Sequence, residues 1–296
     1  MGQTIRIGTR KSKLALAQTD YIIEQLKNVK PSLEIEKVLI STKGDKILER
    51  SLQSFGGKGA FITEFEELML RKEIDFAVHS AKDMPMELQK GLTIVAVSKR
   101  EDPRDVLVTL KGVGRNQALK GIIGTCSLRR RLFIEKNYQA TVKELRGNVE
   151  TRLTKLRNHE YDGIILAAAG LRRLNLLDDD LYDYHFFKEE ECIPAAGQGI
   201  IAVEGRVDEE LSLVFNKISD KFAGYCLETE REVLRLLNAG CSEPVGAYAK
   251  IVVEQQMHLS VVYECQGVAR EEAGIADIDD RLSLAADIVD KIIGKA

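Results

Sequence analysis

The sequence has no tryptophan, five prolines and 6% aromatic residues. Its cysteines lie at positions 126, 192, 226, 241 and 265, so no pair has CxxC spacing and the count is odd. With four scattered histidines, this gives neither a zinc cluster nor a disulfide framework. We expect a reducing cytoplasm as the setting. No run of 18 apolar residues occurs, so no membrane span is expected. Residues 1–8 enter a strand-like alternation directly, without an apolar export segment.

What is present is ordinary for a globular protein: 296 residues, 44% hydrophobic and 30% charged. That is enough apolar material for two or three domains, and it excludes disorder. A net charge of -3 argues against a general nucleic-acid binder. The charge is unevenly spread, however. Between Arg115 and Arg173, thirteen Lys or Arg residues stand against five acids, a local excess of eight, so the remainder carries -11. Such a window suits either an anion site or a solvated basic face.

Short apolar runs repeatedly end in polar clusters and then turn helical in period. Residues 5–8 lead to a helix marked by Leu14, Ala17, Tyr21, Ile22 and Leu26. Residues 74–78, 121–124 and 163–167 behave likewise, and residues 34–40 alternate as a strand. Strands alternating with helices imply α/β lobes with mainly parallel sheets, whose ligands bind beyond the carboxyl ends of the strands. Polar, Pro-bearing breaks set the expected domains: 1–99 with 195–216, 100–194, and an α+β domain over 217–296 with two long strands between helices.

Several residues at these switches are suited to chemistry. Gly56-Gly57-Lys58-Gly59 precedes a helix and would serve as an anion loop or as a plain flexible one, without the spacing of a phosphate loop. Asp83, in Ser80-Ala81-Lys82-Asp83-Met84-Pro85, suits stabilisation of a cation or a proton transfer; a helix cap is the competing reading. Arg129, Arg130, Arg146 and Arg152 lie near expected helix starts, and their guanidinium forks suit a multiply carboxylated ligand or surface ion pairs. Cys241 follows a Gly240 helix stop, so its thiol is a candidate nucleophile or attachment point; the other cysteines read as inert.

The motifs His79-Ser80-Ala81-Lys82-Asp83-Met84-Pro85, Gly124-Thr125-Cys126-Ser127-Leu128-Arg129-Arg130, Leu145-Arg146-Gly147-Asn148-Val149-Glu150-Thr151-Arg152-Leu153, Ala196-Gly197-Gln198-Gly199 and Gly240-Cys241-Ser242-Glu243-Pro244-Val245 occur in that order. Together they resemble the porphobilinogen deaminase (hydroxymethylbilane synthase) family over almost the whole chain. Cys126 departs from the serine of many members and leaves Thr125 and Ser127 in place. The resemblance implies two lobes like those of periplasmic binding proteins, with the site in their cleft, and a third domain. It implies a dipyrromethane cofactor joined by a thioether to Cys241. Porphobilinogen units then condense stepwise onto that primer with loss of ammonia, and hydrolysis releases hydroxymethylbilane, a precursor of porphyrins and haem.

Carried over residue by residue, Asp83 matches the catalytic aspartate. Lys82, Asp83, Thr125, Ser127, Arg129, Arg130, Arg146 and Gly147 match cofactor-binding positions. Arg10, Ser12, Arg152, Gln198 and Lys58 match substrate-binding ones. No metal, nucleic acid or membrane is implied, and the expected state is a cytoplasmic monomer. The rival readings are a non-catalytic binding protein for an anionic small molecule and a regulator's effector domain. The first has no use for a loop thiol, and the second lacks a DNA-reading helix pair.

Overall fold

In this computed structural model the described residues are 4–41, 62–207, 212–240, 243–253, 255–265 and 267–294. Lys58, Cys241, and the Gly-rich loop with most of the polar stretch before it lie outside them. The chain divides into two compact units, residues 1–101 with 200–228, and residues 102–199 with 229–296.

The first unit carries β1 (Ile5–Arg10), α1 (Lys13–Val29), β2 (Ile35–Ile40), α2 (Thr63–Leu70), β3 (Phe76–Ser80), a short 3-10 turn (Ala81–Asp83) and β4 (Leu92–Val97). A late strand, β10 (Ile201–Arg206), completes one five-stranded sheet in the order β2-β1-β3-β10-β4. β1 pairs in parallel with β2 and β3, whereas β10 is antiparallel to both its neighbours. Both faces are covered, which explains why the strands read as apolar runs. One face buries Ile5, Ile7, Phe76, Val78, Ile201 and Val203 with Ile22 and Leu26 of α1. The other buries Ala77 and Ile74 with Phe65 and Met69 of α2.

The second unit repeats the plan. It contains β5 (Asp105–Leu110), α3 (Arg115–Ala118), β6 (Ile122–Gly124), α4 (Leu128–Asn137), β7 (Thr141–Lys143), α5 (Val149–Arg157), β8 (Gly163–Ala167), α6 (Ala168–Arg173) and β9 (Tyr182–Phe186). The strand order is β7-β6-β8-β5-β9, with β5 antiparallel to β8 and β9. In each five-stranded sheet, therefore, four strands run one way and one inserted strand runs the other. The expectation of mainly parallel sheets holds for strand direction, while the ladders divide evenly. Leu153 and Leu156 of α5 pack on one face, and Phe133 and Ile134 of α4 belong to the core on the other.

After α7 (Ser212–Asn216) and α8 (Lys221–Leu236), a separate antiparallel sheet follows: β11 (Val245–Val253), β12 (Gln256–Cys265) and β13 (Val268–Asp277). α9 (Arg281–Ile293) buries Leu284, Ala285, Ile288 and Ile292. The sequence reading placed two strands here; β13 is the third. Gly267, at φ +78, makes the tight turn that leads into it. Among the described residues no helix is long and apolar enough to cross a membrane.

Candidate active site

In the first unit β1 and β3 are parallel, so Arg10 and Ser80 end at the same edge of the sheet. Ser12 caps α1: its hydroxyl accepts from the backbone N–H of Ala15 at 3.3 Å. Ser80 is held by Gln18, whose Nε2 donates to its Oγ at 2.8 Å. The chain then makes one 3-10 turn, closed by Met84 N–H donating to Ala81 O at 3.2 Å. Met84 and Ala81 are buried, Lys82 is half-buried and Asp83 is exposed. Asp83 ends the turn rather than opening a helix, which removes the capping alternative. Among the described residues nothing bonds its carboxylate. An exposed acid beside a lysine at a strand's carboxyl end takes no part in packing and is accessible to a ligand.

In the second unit the carboxyl ends of the parallel strands β6, β7 and β8 share an edge with the start of β5. Three helices begin there, α4, α5 and the short α6, and the first two carry side-chain caps. Ser127 caps α4 by accepting from Arg130 N–H at 3.4 Å, and Thr125 Oγ1 accepts from Ser127 N–H at 3.1 Å. Asn148 caps α5 by accepting from Thr151 N–H at 2.9 Å. Arg152 Nε reaches back 2.8 Å to Gly147 O, which brings Arg146, Gly147 and Arg152 together at this helix start. Gly147 sits at φ +115, and a Cβ there would stand 2.7 Å from the side chain of Thr151. Gly147→Ala should cost about 1–3 kcal/mol, read as a lower urea midpoint; an unchanged midpoint would show that this turn is not strained.

Arg129 and Arg130 differ from the sequence expectation in their surroundings. Both are buried, and both face Asp105, the wholly buried first residue of β5. Arg129 Nη2 lies 2.7 Å from Asp105 Oδ2, and Arg130 Nη2 lies 2.7 Å from Oδ1. Gln198 Nε2 adds a third donor at 2.9 Å. Arg129 Nη1 also donates to Ile193 O, and Arg130 Nη1 to Ile165 O, both at 2.8 Å. Burial pushes the Asp105 carboxyl upward, but the charges of Arg129 and Arg130 outweigh it and hold the group far below the usual carboxylate range. Cys192 donates to the same carboxylate, and burial pushes its thiol up to about 12, so it stays a neutral, inert thiol.

The sequence reading missed Asp105. The signal was available: an aspartate that opens an apolar strand is buried with it, and a buried carboxylate needs cationic partners. Other members of the basic window are also paired internally, Arg115 with Glu191, Lys136 with Glu271 and Arg172 with Asp102. Part of the excess charge is therefore structural. Arg146 is half-buried and pairs with an exposed acid. Its guanidinium meets Glu144 at 3.2 Å in an exposed pair, which at roughly 0–1 kcal/mol an incoming carboxylate can displace.

Comparison with known proteins agrees with this layout. The family model "Porphobilinogen deaminase, dipyromethane cofactor binding domain" matches residues 5–213, and "Porphobilinogen deaminase, C-terminal domain" matches 224–291. Curated relatives named porphobilinogen deaminase include that of Acetivibrio thermocellus, 47% identical over 85% of this chain and 85% of its own. That of Bacillus velezensis is 44% identical over 87% and 82%, and that of Clostridium acetobutylicum 42% identical over 98% of each. Among solved structures, the periplasmic VFT2 domain of Bordetella pertussis BvgS is similar at TM-score 0.45 and 14% identity, covering 73% of this chain and 86% of that one. An arginine-specific periplasmic binding protein of Salmonella typhimurium reaches TM-score 0.44 at 13% identity, over 75% and 94%. With these two family models matching residues 5–213 and 224–291, the chain belongs to the porphobilinogen deaminase family.

Proposed function

We propose that this chain is a transferase that joins porphobilinogen units head to tail, with loss of ammonia, and releases the linear tetrapyrrole hydroxymethylbilane. The carrying observation is the exposed Asp83, unbonded among the described residues, beside Lys82 at the carboxyl end of β3 in a chain of this family. A non-catalytic binding protein for an anionic small molecule is not favoured, because the matched domain is one that holds a dipyrromethane cofactor.

The residues present fit that group. A dipyrromethane carries acetate and propionate carboxylates, and one edge of the second unit offers two capped helix N-termini with Arg146 and Arg152 beside them. In the proposal Cys241 holds the cofactor covalently, and Lys82, Asp83, Thr125, Ser127, Arg146 and Gly147 orient it. Arg129 and Arg130 act from beneath: tied to Asp105, they fix the first turn of α4 and so the placement of Thr125 and Ser127. The cofactor, when bound, supplies the free pyrrole carbon to which the first unit is added.

The chain's own residues do the rest. Arg10, Ser12, Arg152, Gln198 and Lys58 are assigned to the carboxylates of incoming substrate; Gln198, being tied to Asp105 and Pro103, acts by holding its own turn. When ammonia leaves porphobilinogen, the methylene carbon it was attached to and the pyrrole ring become cationic. The Asp83 carboxylate stabilises that charge at the pyrrole N–H and then accepts or relays the proton lost when the ring regains aromaticity.

The proposed domains are 1–99 with 195–216, 100–194 and 217–296, and the proposed state is a cytoplasmic monomer acting without membrane or nucleic acid. Incubation of the purified holoenzyme with porphobilinogen tests the reading. It should release ammonia equal to the porphobilinogen consumed and yield hydroxymethylbilane; saturable binding without ammonia release would favour the binding-protein alternative.

A further inference from the structure

Directly behind the Ser80-Ala81-Lys82-Asp83 segment, the first unit buries three titratable side chains that the proposed chemistry does not use: Glu66 on α2, His79 on β3 and Glu204 on β10. In the β3–β10 ladder His79 stands opposite Ala202, and Ala77 opposite Glu204. His79 and Glu204 are therefore diagonal neighbours on one face, close enough for long side chains to meet. The imidazole Nε2 lies 3.1 Å from Glu204 Oε2. A carboxylate only accepts, so the ring nitrogen carries the hydrogen. Phe65 of α2 meets the same imidazole edge to face, with ring centroids 5.1 Å apart.

Two features mark the pair as more than packing. Glu204 Oε1 is buried without a hydrogen-bond partner among the described residues. Next to it, burial and the charge of Glu204 push the Glu66 carboxyl upward, while Glu66 Oε1 accepts Gln89 N–H at 3.0 Å. In addition, the register of β10 against β4 slips at this residue: Val203 faces Ala96 but Glu204 faces Ile94, leaving Val95 as an extra residue. Such bulges re-aim a side chain and occur next to active sites. A buried pair of polar, titratable groups rarely stabilises more than well-packed apolar residues would, so stability alone does not account for this one. Its position does: His79 is the residue before Ser80, where β3 ends and the turn carrying Lys82 and Asp83 begins.

We propose that His79 and Glu204 are positioning residues whose mutual hydrogen bond fixes the end of β3 and thereby the placement of Lys82 and Asp83. The proposal rests on the reading of Asp83 given above, and its test separates the two. Holoenzymes are compared after their covalent cofactor has been checked by intact mass: wild type, His79→Phe, His79→Gln, and the apolar double variant His79→Phe with Glu204→Leu. Phe keeps the ring against Phe65 but removes the donor, whereas Gln places an N–H near the former Nε2.

The double variant, freed of an unpaired buried carboxylate, should recover the wild-type urea midpoint. Its kcat should nevertheless fall about tenfold or more with little change in KM, because small misplacements of catalytic groups are costly. Amide exchange over residues 80–84 should accelerate in parallel. His79→Gln should retain kcat within about threefold, which is under 1 kcal/mol. A double variant with wild-type kcat and unchanged exchange overturns the proposal. So does a His79→Gln holoenzyme of normal midpoint whose kcat falls tenfold while His79→Phe is unaffected. Faster exchange over 80–84 with unchanged kcat would support the positioning role and instead remove Asp83 from the catalytic reading. Should the double variant not fold, the ordering of His79→Gln above or below His79→Phe decides the matter alone.

Discussion

Asp83→Asn should lower kcat by about a hundredfold or more while leaving the fold and the bound cofactor intact. The size follows from the role. Removing one preorganised group aimed at a developing transition-state charge, such as an oxyanion-hole donor, costs roughly 2.7–4 kcal/mol, and each tenfold in rate corresponds to about 1.4 kcal/mol. The substitution keeps the shape and removes the charge. It should not touch stability, because the side chain is exposed and nothing among the described residues bonds it. The urea midpoint should therefore match wild type, and intact mass should still show the adduct. Single-turnover assays with porphobilinogen check the first claim. Wild-type turnover in this variant would take Asp83 out of the mechanism.

Asp105→Leu should do the reverse, acting on the fold before the chemistry. Arg129 and Arg130 are buried, and Asp105 is the carboxylate that balances both. Removing one partner of a buried pair costs about 3–5 kcal/mol, since an uncompensated charge is left behind. Here two guanidiniums would be left, against a total stability of typically 5–15 kcal/mol. The variant should be unfolded or nearly so at 37 °C.

Asp105→Asn gives the pH dependence. The folded pKa of Asp105 lies below its unfolded value of about 3.9, so its contribution is full above that value and is lost as pH falls toward the folded one. The stability gap between wild type and Asp105→Asn, measured by urea unfolding at pH 7 and pH 3, should therefore narrow in acid. A gap that is constant or widens would mean that Asp105 is not the ionised centre of this cluster.

The alternation of strands and helices was legible because both faces of each five-stranded sheet are covered, so strands such as Gly163–Ala167 stand out as apolar runs. Helices were expected to begin near Ser12, Ser127 and Asn148 from the change of period, and each of these side chains makes a cap bond there. β13 was not legible. Its Ala, Arg and Glu residues favour helices, and only pairing along the full length of β12 makes it a strand. β3 extends to His79 and Ser80, which looked like loop residues by polarity. Pairing with β10, more than a hundred positions later, makes them strand.

The site was legible in type but not in arrangement. Arg129, Arg130 and Arg146 look alike in a charge count, yet the first two are balanced inside by Asp105 and the third lies half-buried beside the exposed Glu144. What separates them is helix phase and the direction of β5, neither of which a sequence window contains. The unengaged carboxylate of Asp83 likewise depends on the chain ending a 3-10 turn there instead of entering a helix.

The account depends above all on one covalent pyrrole primer held at Cys241. Intact-mass measurement of the denatured protein tests this most directly. Wild type should exceed the mass of its bare polypeptide by two linked pyrrole units, and Cys241→Ser should show the bare mass with no tetrapyrrole formed. A wild-type protein that carries no adduct and still produces hydroxymethylbilane, or a Cys241→Ser protein that carries the same excess, would contradict it.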